Sequence, residues 1–172
     1  RVEKIQTAKR KSLMRTGKEI KDIFIHCSAG YGSIESIQKF WKSLGWNSPG
    51  YHLIIDLDGK VHQLQPFTKY SNGVKGFNTN AINISYIGGV EKTNVTKALD
   101  SRTPQQKEAL LNAIKTAIKW AESNGGSKSQ LRIRGHRDVS PDKNGNGIIE
   151  SWERIKECPS FDAIPEYKHL LK

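Results

Sequence analysis

Cysteine is scarce: the 172 residues contain two, Cys27 and Cys158. That excludes a disulfide scaffold, and sparse cysteines in the company of histidines are more often ligands or catalytic groups than bridges. A Cys27–Cys158 disulfide remains as an alternative, and it would consume a thiolate. Long apolar runs are missing too. Nothing approaches the roughly 18 residues of a membrane span, and the basic start is not followed by the apolar core of a signal peptide. Acidic residues are outnumbered, 17 Asp and Glu against 28 Lys and Arg, for a formal charge of +11. The excess favours an anionic partner: nucleic acid, a membrane surface or the acidic polymers of a bacterial wall. Nucleic acid is not expected, because the Lys and Arg residues are dispersed and no recognised basic or aromatic motif appears. The chain begins at Arg1 rather than Met, which reads as a processed or trimmed product.

Enough apolar residues are present, 35% of the chain, for one globular domain with a genuine core. Residues 1–21, rich in Lys, Arg, Ser and Thr, read as a basic N-terminal arm, and 22–172 as the domain. Ile20 to Cys27 is a short β-branched and aromatic run, the signature of a buried strand. Ser33 can cap a helix with apolar positions Ile34, Ile37, Phe40 or Trp41, and Leu44, stopped by Gly45. Two strand-like runs flank Asp58-Gly59, a hairpin signal. His52 and His62 lie in those runs and read as packing or surface histidines. Pro66 to Asn80 reads as a long loop lining a groove, and Ile82 to Gly89 as another strand. Thr103-Pro104-Gln-Gln106 supplies a cap, an N1 proline and a capping-box glutamine for a helix ending near Asn124-Gly125. A short strand, Leu131 to Gly135, precedes His136, and a closing helix falls within Phe161 to Leu171 around or from Pro165. Strands interleaved with helices imply an α/β fold, a mixed central β-sheet with helices packed on its faces.

The chemistry concentrates at strand ends. His26 closes the first strand, and His136 and Cys158 flank a loop near the far end of the chain. Two imidazoles and a thiol gathered from distant segments is how catalytic zinc sites are assembled, with a fourth position left open. The expectation is a hydrolytic zinc site built from His26, His136 and Cys158. Cys27, one residue along the strand from His26, faces the opposite way and reads as buried packing.

The segments Ile-Phe-Ile-His26-Cys-Ser, Gly45-Trp46 to Gly50-Tyr51-His, Asp58-Gly59, Lys75-Gly76-Phe-Asn78, Gly88-Gly89, Thr103-Pro104-Gln-Gln, Gly135-His136-Arg and Cys158-Pro-Ser-Phe-Asp162 occur in a fixed order. In order and approximate spacing they resemble the type 2 N-acetylmuramoyl-L-alanine amidases, which include amidase lysozymes of bacteriophages and are related to peptidoglycan recognition proteins. The resemblance covers about residues 22 to 168. It implies zinc on His26, His136 and Cys158, with Tyr51 and Lys156 as catalytic groups beside the reacting amide. It further implies cleavage between the lactyl group of N-acetylmuramic acid and L-alanine in bacterial peptidoglycan, as a bacteriolytic enzyme of the endolysin kind. Such an enzyme reaches the wall either as a phage-type lysin released from the cytoplasm or by secretion with its leader removed, and a monomer is expected. The alternative is a non-catalytic peptidoglycan-binding module on the same fold; loss of the ligating cysteine would favour it, and Cys158 is present.

This sequence departs from the phage pattern twice. Gly73 stands where those amidases often carry a histidine, and the segment between His136 and Cys158 is much longer. Within that segment, an insertion at 140–155, Asp142-Lys-Asn144-Gly-Asn146-Gly-Ile148-Ile-Glu150-Ser-Trp-Glu153 fits the spacing of a calcium loop, though Pro141 abuts it and no helix leads in. The expected calcium ligands are Asp142, Asn144, Asn146, the Ile148 carbonyl and Glu153. The bland alternative is an Asn/Gly turn entering a short helix near Ser151.

Overall fold

The computed structural model describes residues 14–172. Five strands form one mixed sheet in the order β3-β2-β4-β1-β5. They are β1 (Asp22–Cys27), β2 (Leu53–Ile55), β3 (Val61–Gln63), β4 (Ala81–Tyr86) and β5 (Arg132–Gly135). β1 lies between β4 and β5 and runs parallel to both, β2 is parallel to β4, and β3 returns antiparallel to β2 as the expected hairpin. Parallel strands covered on both faces carry nearly continuous apolar sequence. Every residue of β1 and β4 is accordingly buried.

The strand alternation sorts β1 into two environments. Ile23, Ile25 and Cys27 join a core with Leu110, Ala113, Ile114, Ala117, Ile118 and Ala121 of the long helix α2 (Pro104–Ser123). Phe24 packs instead with Val74 and Ala81, on the face that also carries His26. Each fully buried Ile or Leu side chain contributes about 1.5–3 kcal/mol of transfer free energy. α2 begins as the sequence indicates: Thr103 Oγ1 accepts from Gln106 N at 3.1 Å and Gln106 Oε1 from Thr103 N at 3.0 Å. The Gln106 amide also donates to Ile87 O at 2.9 Å, anchoring the helix start to the end of β4.

α1 (Ile34–Ser43) forms where Ser33 caps it. Only Trp41 of its apolar stripe is buried, while Phe40 and Leu44 are 60% and 50% exposed. The chain closes with α3 (Ala163–Tyr167) and a 3-10 turn at Lys168–Leu171, so Pro165 sits inside the first turn rather than at the start. At the other end, Arg15 N donates to Thr68 O at 3.0 Å and Ile20 is fully buried, so residues 14–21 pack on the domain. The remainder of the expected basic arm lies outside the described residues. Among the described residues no helix is long and apolar enough to cross a membrane.

Candidate metal centre

β1 carries His26 to the C-terminal edge of the sheet, and β5, paired beside it, delivers His136 as the first residue of a 3-10 turn (His136–Val139). Cys158 arrives on the loop that follows the insertion, fastened by the Arg137 N–H donating to its carbonyl at 2.8 Å. A Cβ on Gly135 would come 2.5 Å from Pro159 Cδ, so glycine at the end of β5 is what lets that loop close. The buried Arg137 guanidinium pairs with Asp162 and, at 3.8 Å, with Glu157, bracketing Cys158 from both sides in sequence.

Donor atoms of His26, His136 and Cys158 all lie within 4.8 Å of one another, and among the described residues no further His, Cys, Asp or Glu joins them. His26 Nδ1 is 3.8 Å from Cys158 Sγ, and the two imidazole rings stand 5.0 Å apart at 75°. Tetrahedral zinc with bonds of about 2.0 Å to nitrogen and 2.3 Å to sulfur separates those donors by about 3.5 Å. The donor set therefore fits zinc in kind and spacing. Both cysteines are free. Cys27 lies in the core on the α2 side and its backbone N–H donates to Cys158 Sγ at 3.1 Å.

The electrostatics suit ligation. Burial, then the neighbouring His136, holds the His26 imidazole down to about 3, and burial with the Lys156 charge holds His136 at about 4. Both rings are neutral at physiological pH, as metal binding requires. Burial lifts the Cys158 thiol well above its usual range. A thiolate in that dry corner needs an adjacent cation, which a dication supplies.

Tyr51 stands over the site. Its ring is 5.0 Å from that of His26 and is wedged edge-on by Trp41 at 5.4 Å, while its hydroxyl donates to Cys27 O at 3.4 Å. Burial raises the phenol, so it stays protonated. Lys156 is exposed, and its charge helps to depress both imidazoles. An open cavity of about 290 Å³ beside Tyr51 is lined by Ser28, Ser36, Ile37, Phe40 and Trp41. A larger hollow of about 520 Å³ between the hairpin and α2 holds no titratable side chain and is remote in character from this chemistry.

The calcium expectation gains no support from the geometry. Asp142 accepts from Gly145 N and Gly147 N at 3.0 and 2.7 Å. Glu153, 1% exposed, accepts from the backbone N–H groups of Lys143, Asn144 and Glu150 at 2.7, 3.3 and 2.8 Å. Asn144 and Asn146 donate to Glu150 instead, and Ile148 is 64% exposed. The carboxylates of this loop do not gather into a metal-sized group. Glu153 itself closes the loop, and the expected short helix is a 3-10 turn at Ser151–Glu153.

Residues 16–159 match the family model described as N-acetylmuramoyl-L-alanine amidase. The chain belongs to that family. It is 30% identical over 149 residues to the endolysin of Enterobacteria phage K11, covering 84% of this chain and 83% of the phage protein. The endolysin of Escherichia phage T7 is 31% identical over 144 residues, covering 81% and 80%. Among solved structures, the N-acetylmuramoyl-L-alanine amidase LysC from Clostridium intestinale URNW superposes with a TM-score of 0.62 at 20% identity, over 91% of this chain and 89% of that one, a likeness of fold. This amidase thus acts on peptidoglycan.

Sequence reasoning missed Asn83, whose side-chain oxygen lies 2.8 Å from His26 Nε2, and with it Ser71; His52, read as a packing or surface histidine, is fully buried. A signal was present in β4, where Asn83 and Ser85 alternate with Ile82, Ile84 and Tyr86. Polar residues on one face of a fully buried strand must find partners.

Proposed function

We propose that this amidase is zinc-dependent, with the ion held by His26, His136 and Cys158, and that it hydrolyses the amide between the lactyl group of N-acetylmuramic acid and L-alanine. The observation that carries the reading is the convergence of those three donors with His26 Nδ1 turned toward Cys158. Bound zinc supplies Lewis-acid polarisation of a carbonyl and lowers the pKa of water to about 7. The protein's own groups do the rest. Tyr51, protonated throughout the working range, donates its O–H toward the oxygen on which negative charge develops. Lys156 presents a positive charge at the rim, offsetting that charge and offering a proton to the departing amine. The cavity beside Tyr51 and Trp41 gives the substrate a wall to lie against. The net charge of +11 draws the protein to an anionic wall.

Zinc-edge X-ray absorption on the purified protein tests the ligand set. Expected is one sulfur at about 2.3 Å with nitrogen or oxygen at about 2.0–2.1 Å completing four-coordination. A shell of light atoms alone, or loss of no zinc in Cys158→Ser, would overturn the assignment.

A further inference from the structure

Behind the metal centre lies a run of fully buried polar side chains: His26, Asn83, Ser71 and His52, each no more than 1% exposed. We propose that this hydrogen-bonded chain has a single direction, set by the backbone at its far end, and that it dictates which nitrogen of His26 is bare. The proposal makes Asn83 and Ser71 positioning residues and rests on the zinc reading for its functional meaning.

The direction follows from groups that have no choice. His52 Nε2 is 2.7 Å from the carbonyl of Lys69, which only accepts, and His52 Nδ1 is 3.0 Å from the backbone N–H of Asn83, which only donates. His52 therefore carries its hydrogen on Nε2. Arg15 Nη2, also a donor only and 2.9 Å from the same Nε2, opposes this tautomer, but it is one contact against the two backbone contacts that the other tautomer would spoil. With Nδ1 of His52 an acceptor, the Ser71 hydroxyl 3.0 Å away donates to it. Ser71 Oγ then accepts from the Asn83 amide nitrogen at 2.9 Å. That amide nitrogen also faces Asn78 Oδ1 at 3.5 Å, and that oxygen already accepts from Val74 N at 2.7 Å, so it too asks for a donor. Asn83 cannot be turned over without setting oxygen against oxygen. Its Oδ1 is thus presented to His26 Nε2 at 2.8 Å, the ring hydrogen sits there, and Nδ1 is left with its lone pair toward Cys158. Gly73 admits the arrangement: a Cβ there would stand 2.3 Å from Asn83 Cγ and Oδ1. This is a physical reason for glycine where the phage pattern often has histidine.

Nitrogen-15 NMR of histidine-labelled protein, stripped of metal, reads the ring directly. Expected is His26 protonated at Nε2 and bare at Nδ1 in the wild type, mixed tautomers in Ser71→Ala, and zinc affinity, measured by competition with a chromophoric chelator, lowered about 10–100-fold in Asn83→Ala. A wild-type His26 carrying its hydrogen on Nδ1 would overturn the proposal with no variant needed. So would a folded Ser71→Ala with the wild-type tautomer and wild-type zinc affinity. Metal-free wild type that shows the expected tautomer yet takes up no zinc would uphold the proton order and sink the zinc reading instead.

Discussion

The backbone N–H of Arg137 donates to the carbonyl of Cys158 at 2.8 Å, so the residue after one proposed ligand is bonded to another. The Arg137 side chain reinforces the tie through Asp162 and Glu157. Replacing it with Met keeps the backbone bond and removes the ion pairs. Because the Asp162 side chain is 71% exposed, the expected stability loss is about 1 kcal/mol after solvent screening. Urea denaturation checks this, and chelator competition should show weaker zinc binding in the same variant.

Tyr51→Phe removes one hydroxyl from a ring otherwise held by Trp41 and His26. Loss of a donor to developing negative charge costs about 100–1000-fold in kcat. Steady-state kinetics on a soluble muramyl peptide should show that fall with KM little changed. Lys156→Met should also lower kcat, and neither variant should alter the melting temperature appreciably.

Acid should unfold the metal-free protein through its buried histidines. Burial holds His52 at about 4, against about 6.5 in the unfolded chain. The folded state resists the proton, so this contribution is intact above about 6.5 and is lost progressively as pH falls toward 4. The fully developed loss for His52 is about 3 kcal/mol at 1.36 kcal/mol per unit. His26 and His136 act in the same direction. Melting temperatures measured between pH 8 and 4 should decline most steeply below about 6.5, and less steeply in His52→Gln.

Glu153 accepts three backbone hydrogen bonds while 1% exposed. Glu153→Ala leaves those donors without partners, a cost of about 1–3 kcal/mol each where water cannot replace the lost bond. Thermal melts should register the loss, and limited proteolysis should nick the 142–153 loop faster in the variant.

The strand leading to His26, the Thr103–Gln106 cap and the hairpin around Asp58-Gly59 were legible because each is specified by local pattern. Depth was less legible. The period of Ile34, Ile37, Phe40 and Leu44 marks a helix but not that Phe40 and Leu44 remain at the surface. The calcium-loop spacing was readable too, yet spacing does not reveal that Glu153 turns to the backbone. Asn83 was illegible as a partner of His26 because that contact requires the β1–β4 pairing, with Phe24 opposite Asn83, and its orientation requires the 66–80 segment folded over the sheet. Both are long-range facts.

Digestion of purified cell wall by metal-stripped protein, before and after zinc is restored, tests the central claim most directly. Mass spectrometry of the soluble products should show free stem peptides beginning at L-alanine beside intact glycan, only when zinc is present. New reducing sugar ends, or equal release of stem peptides without metal, would contradict it.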